Sequence, residues 1–123
     1  MELIMNLNKI KISNDATQKL RTIKMRTGLT PNILCRLGFC LSLNEPGTPD
    51  SSQFQEDGME FNRYTLTGMY DTLFVSLLKE KCIQEGIAID DNFSKQFVAH
   101  LNRGVLLIYN RIKNLADMKN LIN

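Results

Sequence analysis

Between Pro31 and Leu43 the sequence is apolar on almost every side of the helix it predicts, and this limits what the chain can fold into. Ile33, Leu34, Leu37, Cys40 and Leu41 form one side, while Cys35, Phe39 and Leu43 carry apolar surface around much of the other. Only Asn32, Arg36 and Ser42 are clearly polar. Such a helix must be covered on most faces, and a chain of 123 residues has one core's worth of material to cover it. Gly38 at its middle costs about 1 kcal/mol of helix propensity, which is best understood if another backbone approaches there. We read this helix as the centre of an oligomer interface. The other arrangement is a central helix wrapped by later helices of the same chain.

The segments on either side predict an all-α fold of one domain, residues 1–123. Asn8 to Ile12 alternates, with Lys9 and Lys11 on one side and Ile10 and Ile12 on the other, the period of a short strand. Ser13, Asn14 and Asp15 offer N-caps for a helix to Thr27 whose apolar face is Ala16, Leu20, Ile23 and Thr27. Gly28 ends it, Thr30 caps the apolar helix and Pro31 sits in its first turn. Residues 8–43 therefore read as a strand–helix–helix unit, followed by a long loop at 44–64 and a helical part at 65–123. In that part a helix over 65–85 carries Leu66, Met69, Tyr70, Leu73, Phe74, Leu77 and Cys82 on its apolar side, and Gly86 stops it. Ile87 to Ile89 is an extended link, and Asp90, Asp91 and Asn92 are caps for the next helix. That helix, to about Asn114, has Phe93, Phe97, Leu101, Val105, Ile108 and Ile112 as its stripe, and a short helix over 115–122 closes the chain.

Charge is unevenly spread. Up to Cys40 there are seven basic residues, Lys9, Lys11, Lys19, Arg21, Lys24, Arg26 and Arg36, against Glu2 and Asp15. From Leu41 to Asp91 ten acidic residues face Arg63, Lys79 and Lys81, and after that the chain is basic again. Basic ends around an acidic middle suit either a polyanionic partner or pairing within the fold. Nothing predicts a membrane span, and Met1 to Ile10, with Glu2, does not read as a secretory leader. A cytoplasmic location is the expectation. Cys35, Cys40 and Cys82 lack the spacing of a zinc or redox motif and read as buried free thiols, and His100 is the only histidine. No metal and no cofactor is expected.

Strand, helix, glycine turn and apolar helix in this order look like the ribbon-helix-helix module of small DNA-binding proteins. Two strands of a dimer there form an antiparallel ribbon for the major groove. Lys9 and Lys11 would face outward, and the helix N-terminus from Thr30 to Ile33 would meet phosphate. On the first helix Lys19 and Arg26 flank the apolar face on one side, and Lys24 and Arg21 lie on the other. The DNA-contacting set expected from charge is thus Lys9, Lys11, Lys19, Arg21, Lys24, Arg26 and Arg36. Arg63, the only cation between Leu41 and Leu78, could contact phosphate or pair with Glu60 or Asp71, and the pair is the expectation.

Two motifs, Thr27-Gly28-Leu29-Thr30-Pro31-Asn32-Ile33-Leu34-Cys35-Arg36 and the more specific Glu60-Phe61-Asn62-Arg63-Tyr64-Thr65-Leu66-Thr67-Gly68, make the chain resemble the DndE family of DNA sulfur modification proteins. Length, order of elements and the long final helix agree. The resemblance implies an all-helical protein that forms a homotetramer and binds duplex DNA, with a preference for nicked duplex, and that performs no catalysis. It also implies partners: a cysteine desulfurase, an iron–sulfur protein and an ATPase, which together replace a non-bridging phosphate oxygen by sulfur. Three functions remain distinct. A DNA-binding accessory subunit predicts salt-dependent, weakly sequence-selective binding. A sequence-specific ribbon-helix-helix repressor predicts a palindromic site, for which Lys9 and Lys11 are a poor base-reading pair. A scaffold predicts no DNA binding. An enzyme is the most distant reading, because no nucleophile–base pair, metal-ligand spacing or phosphate loop is evident.

Overall fold

The computed structural model describes residues 8–90 and 92–121. Strand β1 (Lys9–Lys11) leads into helices α1 (Asn14–Thr27) and α2 (Pro31–Asn44). Strand β2 (Glu60–Asn62) runs directly into the short helix α3 (Arg63–Thr67), followed by α4 (Asp71–Gln84) and α5 (Phe93–Arg111). Single turns of 3₁₀ helix lie at Ser51–Gln53 and Gly68–Tyr70, and a longer 3₁₀ stretch at Leu115–Leu121 ends the described chain.

The expected caps set the first two helices. Ser13 Oγ accepts from the Ala16 N–H at 3.1 Å and Thr30 Oγ1 from the Ile33 N–H at 3.4 Å. Gly28 ends α1 with a φ of 77°. The proposed cap at Asp91 lies outside the described residues, as do the segment before Asn8 and the end of the last predicted helix.

Helix α5 is the hub. Its predicted stripe, Phe93, Phe97, Leu101, Val105, Ile108 and Ile112, is buried throughout. Helix α2 packs along it, with Phe39 stacked against Phe97 at 4.8 Å between ring centroids and against Phe74 of α4 at 5.6 Å. The backbone approach inferred from Gly38 is real, and its source is Gly104 of α5. A Cβ on Gly38 would stand 2.7 Å from the Gly104 carbonyl carbon, and a Cβ on Gly104 would press into the Gly38 carbonyl. The same chain therefore covers the side of α2 that carries Leu34, Cys35, Gly38, Phe39 and Ser42, while Ile33 and Cys40 stay exposed.

Three expectations are corrected. The antiparallel partner of β1 is a segment of the same chain, not a second subunit: Lys9, Ile10 and Lys11 pair with Asn62, Phe61 and Glu60. Three residues inside the stretch read as loop thus form a strand, too short to show a period. Second, the helix expected over 65–85 is broken at Gly68, whose φ of 60° and ψ of −139° are open to glycine and closed to residues bearing a Cβ. The break resets the helical phase. Phe74, Val75, Leu78 and Cys82 face the core, while Met69, Tyr70, Leu73 and Leu77, expected inside, are exposed. Third, Cys40 is exposed, whereas Cys35 and Cys82 are buried; all three are free thiols. No helix among the described residues is long and apolar enough to cross a membrane.

Candidate nucleic-acid interface

β1 alternates as predicted, so Ile10 is buried and Lys9 and Lys11 point outward. Lys11 faces Glu60 across the ribbon, and Lys9 faces Asn62. α1 buries Ala16, Thr17, Leu20, Ile23 and Thr27, which leaves its cations at the margins and on the outer side of that face. Arg21 and Lys24 are exposed. The side chains of Lys9, Lys11, Arg21 and Lys24 make no ion pair or hydrogen bond among the described residues.

Lys19 and Arg26, seven residues apart on one flank of α1, are brought together with a residue the sequence reading did not single out. Tyr109 of α5 lies beneath both: Lys19 Nζ is 5.3 Å and the Arg26 guanidinium carbon 5.1 Å from its ring centroid. Lys113, just past the end of α5, completes the group at 5.4 Å. A cation over an aromatic face is attracted by the ring quadrupole. Lys19 also pairs with Asp15 at 2.7 Å, and Lys113 Nζ donates to the Tyr109 carbonyl at 3.4 Å. Arg26 has no acceptor, and its Nη1 is covered without a hydrogen bond. The stripe containing Ile108 and Ile112 was legible in the sequence, but the meeting of Tyr109 with α1 depends on how α1 and α5 pack.

Arg36 stands apart from the set. Its Nε donates to the Leu66 carbonyl at 2.6 Å and Nη2 to the Thr65 carbonyl at 3.2 Å. It thereby satisfies carbonyls at the end of α3 and lies against Gly68, where a Cβ would stand 2.7 Å from Nη2. Arg63 pairs with Asp71, as one of the two expectations had it: Nε to Oδ1 at 2.9 Å and Nη2 to Oδ2 at 2.8 Å. Thr67 Oγ1 donates to the same carboxylate at 2.9 Å. The hydrogen bond from Arg63 holds the Asp71 carboxyl below the usual carboxylate range, and Asp71 in turn raises the Arg63 guanidinium.

The acidic middle is engaged mainly elsewhere. Glu45 pairs with Arg111 at 2.8 Å, Glu85 with Lys81 at 2.9 Å, and Asp57 accepts from the Asn14 N–H at 2.8 Å. Among the expected cations of the amino-terminal part only Lys11, opposite Glu60, and Lys19, on Asp15, have a carboxylate beside them.

One pair resembles catalytic machinery. Ser42 Oγ lies 2.8 Å from His100 Nδ1. Arg103 Nε donates to the same Oγ at 2.7 Å, and its Nη2 to the Ser42 carbonyl at 2.6 Å. Ser42 and His100 are 0% and 1% exposed. Burial, with the nearby Arg103 and Lys81 charges, lowers the His100 pKa to about 3. The imidazole is therefore neutral at pH 7, and Ser42 Oγ is hydrogen-bonded to its Nδ1 while accepting from Arg103. This is a buried polar tie between α2 and α5, sealed from substrate. Among the described residues no group of His, Cys, Asp or Glu is arranged to hold a metal.

A family model described as DNA sulphur modification protein DndE matches residues 9–116. Among solved structures, the crystal structure of DndE from Escherichia coli B7A, described as involved in DNA phosphorothioation modification, matches with a TM-score of 0.67 and 24% identity. The match covers 82% of this chain and 96% of that one. A crystal structure of a glycine-to-lysine DndE mutant matches with a TM-score of 0.66 and 22% identity over the same shares. At this identity the structural likeness is one of fold. No curated protein sequence matches the chain.

Proposed function

Since the chain belongs to the DndE family of DNA sulphur modification proteins, we propose that it is a non-catalytic, DNA-binding accessory protein of DNA phosphorothioation, acting in the cytoplasm as an oligomer. One observation carries the DNA-binding part: Lys9, Arg21 and Lys24 are exposed and have no ion pair among the described residues, while the acidic middle engages other groups. Unneutralised cations on adjoining elements favour a polyanion, and each phosphate contact releases a counterion. Lys9, Lys11, Lys19, Arg21, Lys24 and Arg26 form the contact set. Arg36 is not carried into it, because its donors serve α3.

Support for a role without catalysis comes from the burial of Ser42 and His100. For self-association it comes from an exposed apolar strip on the outer side of α2 and α4. Ile33 and Cys40 of α2 and Tyr70, Leu73 and Leu77 beside or on α4 are exposed, and Cys40, Leu43 and Leu77 line one surface hollow. Exposed apolar groups on two neighbouring helices favour an interaction surface. The tetramer, the preference for nicked duplex and contact with other proteins of the sulphur-modification machinery are part of the same reading and come with the family.

The test is titration against nicked, intact and single-stranded DNA at two salt concentrations, with mass measured by light scattering. Binding to duplex that weakens steeply with salt, by a particle larger than one chain, is expected. A monomer that ignores all three DNAs at low salt would refute the reading.

A further inference from the structure

Three positive side chains surround the ring of Tyr109, within about 11 Å of one another by their ring distances. That is an upper bound on their separation, and pairs nearer than the Debye length at physiological salt, roughly 8 Å, repel with only partial screening. Asp15 offsets Lys19, and the carbonyl end of α5 offsets Lys113. Nothing offsets Arg26: it has no ion pair and no hydrogen bond among the described residues, and one of its terminal nitrogens is already stripped of water. A guanidinium 5.1 Å from a ring centroid, covered at Nη1 and sharing that ring with two ammonium groups, offers charge and donors to a tetrahedral oxyanion. The planar fork supplies paired donors, and the lysines supply charge.

We propose that Arg26, Lys19 and Lys113, assembled on Tyr109, form a single-phosphate docking site. The site joins α1 to the end of α5, so it fixes an anion relative to the core instead of holding it on a mobile side chain. Its ligand is a phosphate group, and the source rests on the DNA reading above: a backbone phosphate of duplex DNA, as opposed to free inorganic phosphate. Tyr109 is a positioning residue, since its ring sets where the guanidinium and both ammonium groups stand.

Two measurements on the full chain separate the site from its source. In the first, R26Q, R26K and Y109L are compared with the parent in duplex binding across a salt series, each checked for an unchanged circular dichroism spectrum and thermal midpoint. R26Q should weaken binding about tenfold, as expected for loss of a charge-assisted contact, and reduce the log–log salt slope by about one. R26K should restore the slope but not the full affinity. Y109L should weaken binding although it removes no charge. In the second, inorganic phosphate is titrated while the Arg26 Nε–H resonance is followed by ¹⁵N NMR, with saturable movement expected.

If R26Q and Y109L bind duplex like the parent while the K9E/R21E/K24E variant loses binding, the docking site is overturned and the DNA reading stands. If the parent ignores duplex yet phosphate saturates the Arg26 resonance, the site stands and its DNA source is overturned. No response in either measurement overturns both.

Discussion

Gly38 and Gly104 show how single residues set the spacing of the two central helices. The two backbones meet where neither has a Cβ, so a methyl at either position must push rigid main chain apart. Overpacking of this sort costs about 1–3 kcal/mol. G38A and G104A should each lower the unfolding free energy measured in urea by that order, and because they strike the same contact the double variant should lose less than the sum. His100 supplies a second residue-scale prediction. Its folded pKa, about 3, lies below the ordinary 6.5, so the unfolded chain binds a proton first as pH falls. Stability is therefore fully present above about pH 6.5 and declines toward pH 3, by up to about 1.4 kcal/mol per unit from this group. Urea unfolding at pH 7, 6 and 5 should show that decline in the parent and a flatter profile in H100Q. An equal slope in both would discount the buried imidazole as its cause.

At the scale of elements, the junction at Gly68 carries more than its length suggests. Three interactions hold it: Arg63 on Asp71, Thr67 on Asp71, and Arg36 on the carbonyls at the end of α3. Arg63 is 4% exposed, so losing the Asp71 carboxylate removes the countercharge of a buried guanidinium. D71N should destabilise the fold by about 3 kcal/mol, measured by chemical denaturation. R36A should cost about 1–2 kcal/mol by freeing α3 carbonyls yet leave the salt slope of DNA binding unchanged. A reduced slope in R36A would return Arg36 to the contact set. The junction also explains why the face of α4 was misread. Heptad-like spacing assumes one continuous helix, and a break at Gly68 rotates everything beyond it, leaving Met69, Tyr70, Leu73 and Leu77 outside.

For the whole molecule, the question is which charges the fold neutralises and which it leaves. The acidic middle ties back to α5 through Glu45 with Arg111, Glu85 pairs locally with Lys81 at the end of α4, and Arg103 donates to the Gly47 carbonyl at 3.3 Å. Lys9, Arg21 and Lys24 stay exposed with no ion pair among the described residues. L73E/L77E should reduce the mass seen by light scattering without lowering monomer stability, since both side chains are already exposed. An unchanged mass would remove the outer face of α2 and α4 as the contact between copies.

By itself the sequence determined the elements governed by neighbours along the chain: the caps at Ser13 and Thr30, the glycine stop after α1, the two-residue alternation of β1 and the long stripe of α5. It also determined that a backbone must approach Gly38, because a glycine in an apolar helix is costly anywhere else. Only the tertiary structure decided which backbone that was, which segment paired with β1, and that Tyr109 would gather Lys19, Arg26 and Lys113. Local hydrogen bonding and periodicity act over a few residues and are written into adjacent letters. Pairings between residues eighty or more positions apart, such as Ser13 with Asn102, are selected by how the whole core packs, and no window of sequence contains them.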